Sequence, residues 1–180
     1  MVNWLILKKH EVILIISLLF FTLNAIGQVS PKDTLIKKEP VAVAEFGGAA
    51  SLGFKGGSSF GYSAAVEVTP VEDWLELESG ITTTFAKHTK ETDIDLLFKK
   101  PWTLSPKVEF MFGVGLAWSH ANEDGVTTNS AGGEIALDFM FWPAAKHKFG
   151  WYLEPAYDYS FSRGHDQSIG ISAGLLVAFP

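Results

Sequence analysis

From Val41 onward the chain alternates apolar and polar residues in short segments broken by turn residues. Side chains on a β-strand point to opposite faces in turn, so a period of two marks a strand with one apolar and one polar face. The pattern predicts eight strands: Val41–Phe54, Phe60–Thr69, Trp74–Ala86, Asp93–Lys99, Lys107–Ser119, Ala131–Trp142, Phe149–Phe161 and Ser168–Phe179. In the last, Ile169, Ile171, Ala173, Leu175, Val177 and Phe179 share one face, while Gly170, Ser172, Gly174 and Ala178 share the other. The fifth sets Val108, Phe110, Phe112, Val114, Leu116 and Trp118 against Glu109, Met111, Gly113, Gly115, Ala117 and Ser119. The fourth is short, and Glu91-Thr92 is the natural place for an earlier start.

Soluble sandwiches alternate as well, so the sense of the pattern has to be decided. In a sandwich the apolar faces meet and the outer face mixes acidic and basic residues. Here the apolar face is dense in large aromatics and carries no charge before the strand ends, whereas the other is rich in Gly, Ala, Ser and carboxylates. Small and acidic side chains suit a narrow lumen, since a barrel of ~8 strands leaves room only for side chains. The pattern predicts an all-β, eight-stranded, antiparallel up-and-down transmembrane barrel. Trp74, Trp102, Trp142 and Trp151 fall near one predicted end and Phe54, Phe85, Trp118 and Phe161 near the other, as the two interfacial girdles of an apolar band.

The connections alternate too. Those after the second, fourth and sixth strands begin with Pro70, Pro101 and Pro143, each without the N–H that a ladder needs. The others, Lys55–Ser59, Lys87–Thr92, His120–Ser130 and Ser162–Gln167, are rich in Gly, Ser, Asn, Thr and His. With periplasmic termini the proline set forms periplasmic turns and the other set outer loops, of which that from His120 is the longest.

Ahead of the barrel, Lys8 and Lys9 precede the apolar run Val12–Leu23, and the small residues of Ala25-Ile26-Gly27 follow it. That run is short for a span needing ~20 residues, so residues 1–27 read as a cleaved signal peptide. Residues 28–40 then form a flexible periplasmic leader, and the barrel occupies 41–180. With no cysteine, disulfides, thiolate metal sites and cysteine nucleophiles are excluded. A net charge of −6 gives no reason to expect nucleic acid as a partner.

On these features the chain resembles the small eight-stranded bacterial outer-membrane barrels, like the transmembrane part of OmpA-type proteins, over about residues 41–180. The resemblance implies the cell outer membrane as location, with its lipids and the barrel-assembly machinery as partners. Family members typically end in an aromatic residue read by that machinery; here Phe179 is penultimate and Pro180 is last.

Candidate chemistry lies on the lumen face. Alternation turns Glu45, Glu67, Glu76, Glu78, Asp93, Asp95, Glu109, Glu134, Asp138, Glu154 and Asp158 inward, against Lys99 and Lys107. Crowded carboxylates repel and have to be offset, either by Ser, Thr, Tyr, water and protons or by a cation drawn into the lumen. The first reading is favoured, because ~8 strands leave no pore-sized space; the second makes a divalent cation a partner. His88, His120 and His165 fall in or beside outer loops and match no metal spacing. The resemblance also raises lipid A deacylases, which place His and Ser two apart. Ser119-His120 are adjacent and His165 and Ser168 are three apart, so neither fits, and geometry alone can test Ser168, His165 and Asp166. No cofactor is expected. The functional expectation is a structural or surface-interaction barrel without an assigned reaction; the alternatives are a cation-attracting channel or transporter and, third, a lipid A-modifying enzyme.

Overall fold

The computed structural model describes residues 40–54, 57–144 and 148–179. The signal peptide expected over 1–27, the leader expected over 28–40 except its last residue, and Pro180 lie outside the described residues. The strands are β1 (Ala42–Gly53), β2 (Ser58–Val71), β3 (Leu75–Phe85), β4 (Thr89–Ser105), β5 (Val108–Glu123), β6 (Val126–Phe141), β7 (Phe149–Ser160) and β8 (Gln167–Phe179). They pair in chain order, all antiparallel, and β1 pairs with β8 to close the barrel. Closure gives every strand a paired neighbour on both sides over most of its length, the condition for a sheet to sit in lipid. Every strand exceeds the ~9 residues that a tilted membrane strand needs.

Parity holds around the barrel. Phe46, Tyr62, Ile81, Phe98, Val114, Ile135, Trp151 and Leu175 are exposed on the outside. Glu45, Glu67, Glu78, Lys99, Met111 and Asp138 are buried inside. Aromatic rings pack along the outer wall, where Phe110 lies 5.6 Å from Trp102 and 5.0 Å from Phe139, and Phe141 stacks on Trp151 at 3.8 Å.

The strand ends depart from the expectations. β4 starts at Thr89 and continues through Pro101 to Ser105, leaving Pro106 and Lys107 as the turn. The reason lies with its neighbour: pairing with β3 stops at Lys99, while pairing with β5 continues through Pro101↔Met111. Past Lys99 one side of β4 is an open edge, where a residue without N–H is tolerated. The expected loop from His120 is mostly strand, since β5 and β6 remain paired to Glu123↔Val126. They turn on Asp124 and Gly125, with φ of 49° and 84°. Two successive positive φ angles suit the two-residue hairpin turns that match strand twist, and Asp-Gly is a favoured sequence there.

Two side chains lie elsewhere than expected. Trp142 belongs to no outer girdle; it is 1% exposed, and its Nε1 donates to Glu109 Oε2 at 2.8 Å. Lys107, expected in the lumen, sits exposed in the β4–β5 turn. The longer β4 also carries Lys90 and Lys100 on its outer face. Lys100 lies 5.8 Å from the centre of the Trp102 ring and donates to the Asp73 carbonyl in the turn, an ammonium drawn to the edge of the apolar band.

Candidate functional site: a lumen divided into vestibule, charged centre and plug

The lumen changes character along its axis. At the end away from the termini, the mouth, an open cavity of about 890 Å³ is lined by Ser, Thr, Gly and Ala with Glu91, Asp93, Asp95, Glu134 and Asp158. Three of these carboxylates are held by local donors: Asp158 by the Ser168 hydroxyl at 3.0 Å, Asp95 by the Gly80 N–H at 3.1 Å, and Asp93 by Ser119. Glu134 stands directly opposite Asp158 in the β6–β7 ladder. Tyr152 reaches across to Ser63, 2.9 Å from hydroxyl to hydroxyl. Gly47 makes this possible, since a Cβ there would come within 2.5 Å of the Tyr152 hydroxyl.

Below the vestibule lies the charged centre. Lys99 is fully buried, and its ammonium donates to Glu78 at 2.5 Å, Glu154 at 2.6 Å and Asp138 at 3.1 Å. Those partners come from β3, β7 and β6, so Lys99 on β4 ties strands across the lumen. An ammonium has three N–H donors, and all three are spent. Gly113, opposite Lys99 in the β4–β5 ladder, gives its stem room; a Cβ there would stand 2.9 Å from Lys99 Cγ.

Around this centre stand more carboxylates than Lys99 can serve. Glu45, Glu67, Glu78 and Asp138, all buried, each offer an oxygen within 4.8 Å of the others. Neither oxygen of Glu67 receives a hydrogen bond, nor does Glu45 Oε1 or Asp138 Oδ1. Glu76 sets its carboxyl beside Glu67, a contact between two acceptors that becomes favourable only when a proton or cation lies between them. Nearer the termini the lumen is sealed by an apolar cluster of Val43, Met111, Met140, Trp142, Tyr152 and Leu176.

The expected acidic set is therefore three groups. Glu45, Glu67, Glu76, Glu78, Asp138 and Glu154 gather at the centre. Glu134 and Asp158 belong to the vestibule, and Glu109 caps Trp142 in the plug. Leu97, Trp142, Tyr152 and Leu176 are also buried in the lumen; their parity matches Lys99, Met140, Glu154 and Gly174, but they carry no charge that marks them out in the sequence.

The histidines are separate. His88 faces Asp124 at 3.3 Å, His120 bonds to Asn129 at 2.8 Å, and His165 bonds to the Tyr159 hydroxyl at 3.0 Å. Among the described residues, no histidine joins the carboxylate cluster. Ser168 gives its hydroxyl to Asp158 and Ser119 bonds to Asp93, so neither serine is engaged with the histidine that a nucleophile would need.

No protein-family model matches the sequence, and no curated protein matches it. Solved structures do. Neisserial surface protein A superposes with a TM-score of 0.57 at 17% identity, covering 77% of this chain and 96% of that one. The N-terminal barrel domain of Pseudomonas aeruginosa OprF gives 0.59 at 12%, covering 77% and 99%. The fold is that of the small eight-stranded outer-membrane barrels. Ail, the attachment invasion locus protein of Yersinia pestis, matches likewise with a TM-score of 0.56 at 12% identity, covering 79% of this chain and all of that one. It has also been solved with the heparin analogue sucrose octasulfate.

Proposed function

We propose that this chain is an outer-membrane barrel of structural or surface-directed type, whose lumen retains small solutes at its mouth and does not pass them. One observation carries the reading: the lumen is filled below the vestibule, first by Lys99 with its carboxylates and then by the apolar plug around Trp142 and Met140. The outer wall supports membrane placement, being apolar and edged by exposed Trp and Phe. Ail's heparin analogue does not transfer readily to this mouth. Among the described residues there, Lys87, Lys90 and Arg163 are interspersed with Glu123, Asp124 and Asp166, and a mixed surface lacks the positive potential that concentrates polyanions.

A cation channel is the second reading, favoured by the carboxylate lining of the vestibule. Planar bilayers separate the two. The wild-type barrel is expected to give no steady conductance at neutral pH. A steady, cation-selective conductance would overturn the retaining reading and put the channel in its place.

A further inference from the structure

We infer that Glu45, Glu67, Glu78 and Asp138 form a binding site for one hard divalent cation, calcium by preference, at the floor of the vestibule. Four acidic residues near one another are commonplace; the state of their oxygens is what distinguishes this group. Glu67 is 1% exposed and receives no hydrogen bond on either oxygen, and Glu45 and Asp138 each keep one oxygen in the same condition. Burying a carboxylate oxygen without a partner costs several kcal/mol in general. Lys99 cannot relieve it, because its three donors are committed to Glu78, Asp138 and Glu154. Protons shared between neighbouring carboxyls, such as Glu67 and Glu76, would relieve one contact at a time. A single cation among the four residues relieves them together.

The donor set selects the ion. All four ligands are carboxylate oxygens, without nitrogen or sulfur, which suits calcium, magnesium or manganese rather than zinc or copper. Their oxygens all lie within 4.8 Å of one another, close enough to share a single ion. Magnesium requires a near-ideal octahedron at ~2.0–2.1 Å and retains its waters. Four carboxylates fixed on β1, β2, β3 and β6 of a closed barrel suit the larger, less exacting ion. A route exists as well, since Glu45 and Glu78 also line the open vestibule.

The test uses the folded wild-type barrel in detergent free of lipopolysaccharide, stripped with a chelator and titrated with calcium, then magnesium, by calorimetry and thermal unfolding. The expected result is saturable uptake of one calcium ion per barrel with a rise in Tm, and weaker uptake of magnesium. Glu67→Gln preserves shape and removes charge from a crowded site, so it should fold and bind calcium about tenfold or more weakly. Asp124→Asn, at the mouth, should bind as wild type does. Should Glu67→Gln fail to fold, terbium luminescence lifetimes in water and heavy water decide on the wild type alone: a caged ion retains few waters and is displaced by calcium. Absence of saturable binding at millimolar calcium, equal binding by a folded Glu67→Gln variant, or a terbium ion with nearly its full hydration shell would each overturn the site.

Discussion

Lys99 carries more of this lumen than any other single side chain. It is the one basic residue among the buried groups described, and it holds Glu78, Asp138 and Glu154 together. Removing one partner from a buried charge network leaves the others uncompensated, which typically costs about 3–5 kcal/mol. Lys99→Met should therefore lower the unfolding free energy of the lipid-folded barrel by about that amount in a urea titration; a loss under ~1 kcal/mol, the scale of exposed pairs, would mean that the carboxylates are neutralised by other means. Parity alone turned Lys99 inward. Which carboxylates it would meet was not legible, because contacts across a lumen depend on how the sheet closes and staggers, and no local pattern records that. The signal for Trp142 was present: it shares parity with the inward Met140. Its aromatic character suggested an interfacial girdle, and the indole N–H found Glu109 instead.

At the level of the strand, alternation located all eight elements, and its failures mark where the surroundings change. Along Asn122–Asn129 both faces of the hairpin carry polar residues, so the period of two fades while the ladder continues. Pro101 reads as a terminator because it lacks the N–H that a ladder needs; past Lys99 β4 is paired only with β5, and its other side is an open edge where that N–H is not required. The apolar band itself can be tested midway between its girdles, where Val114 on β5 faces Ile135 on β6. Either residue replaced by Arg should cost ~2–4 kcal/mol if it lies at mid-bilayer, reducing insertion into lipid vesicles as followed by protease protection. Thr127→Arg, beyond the band, should insert normally. Equal insertion by all three variants would refute membrane placement of this wall.

For the whole molecule, the ladders join each strand only to its neighbours in the ring, whereas Lys99 joins β4 to β6 and β7 through the interior. That shortcut has a mechanical consequence. Under a load applied near Phe179, a barrel held by ladders alone would give way hairpin by hairpin from the C-terminal end. Here, drawing out β7 and β8 must also tear Glu154 from the ammonium, so the first rupture bears an ionic tie that no hairpin owns. Single-molecule pulling should show a higher first force peak for wild type than for Lys99→Met, with the later peaks closer together in height; superimposable traces would mean the tie carries no load. A small barrel with a filled interior would then resist extraction as an internally braced cylinder, and its toughness would depend on which way it is pulled.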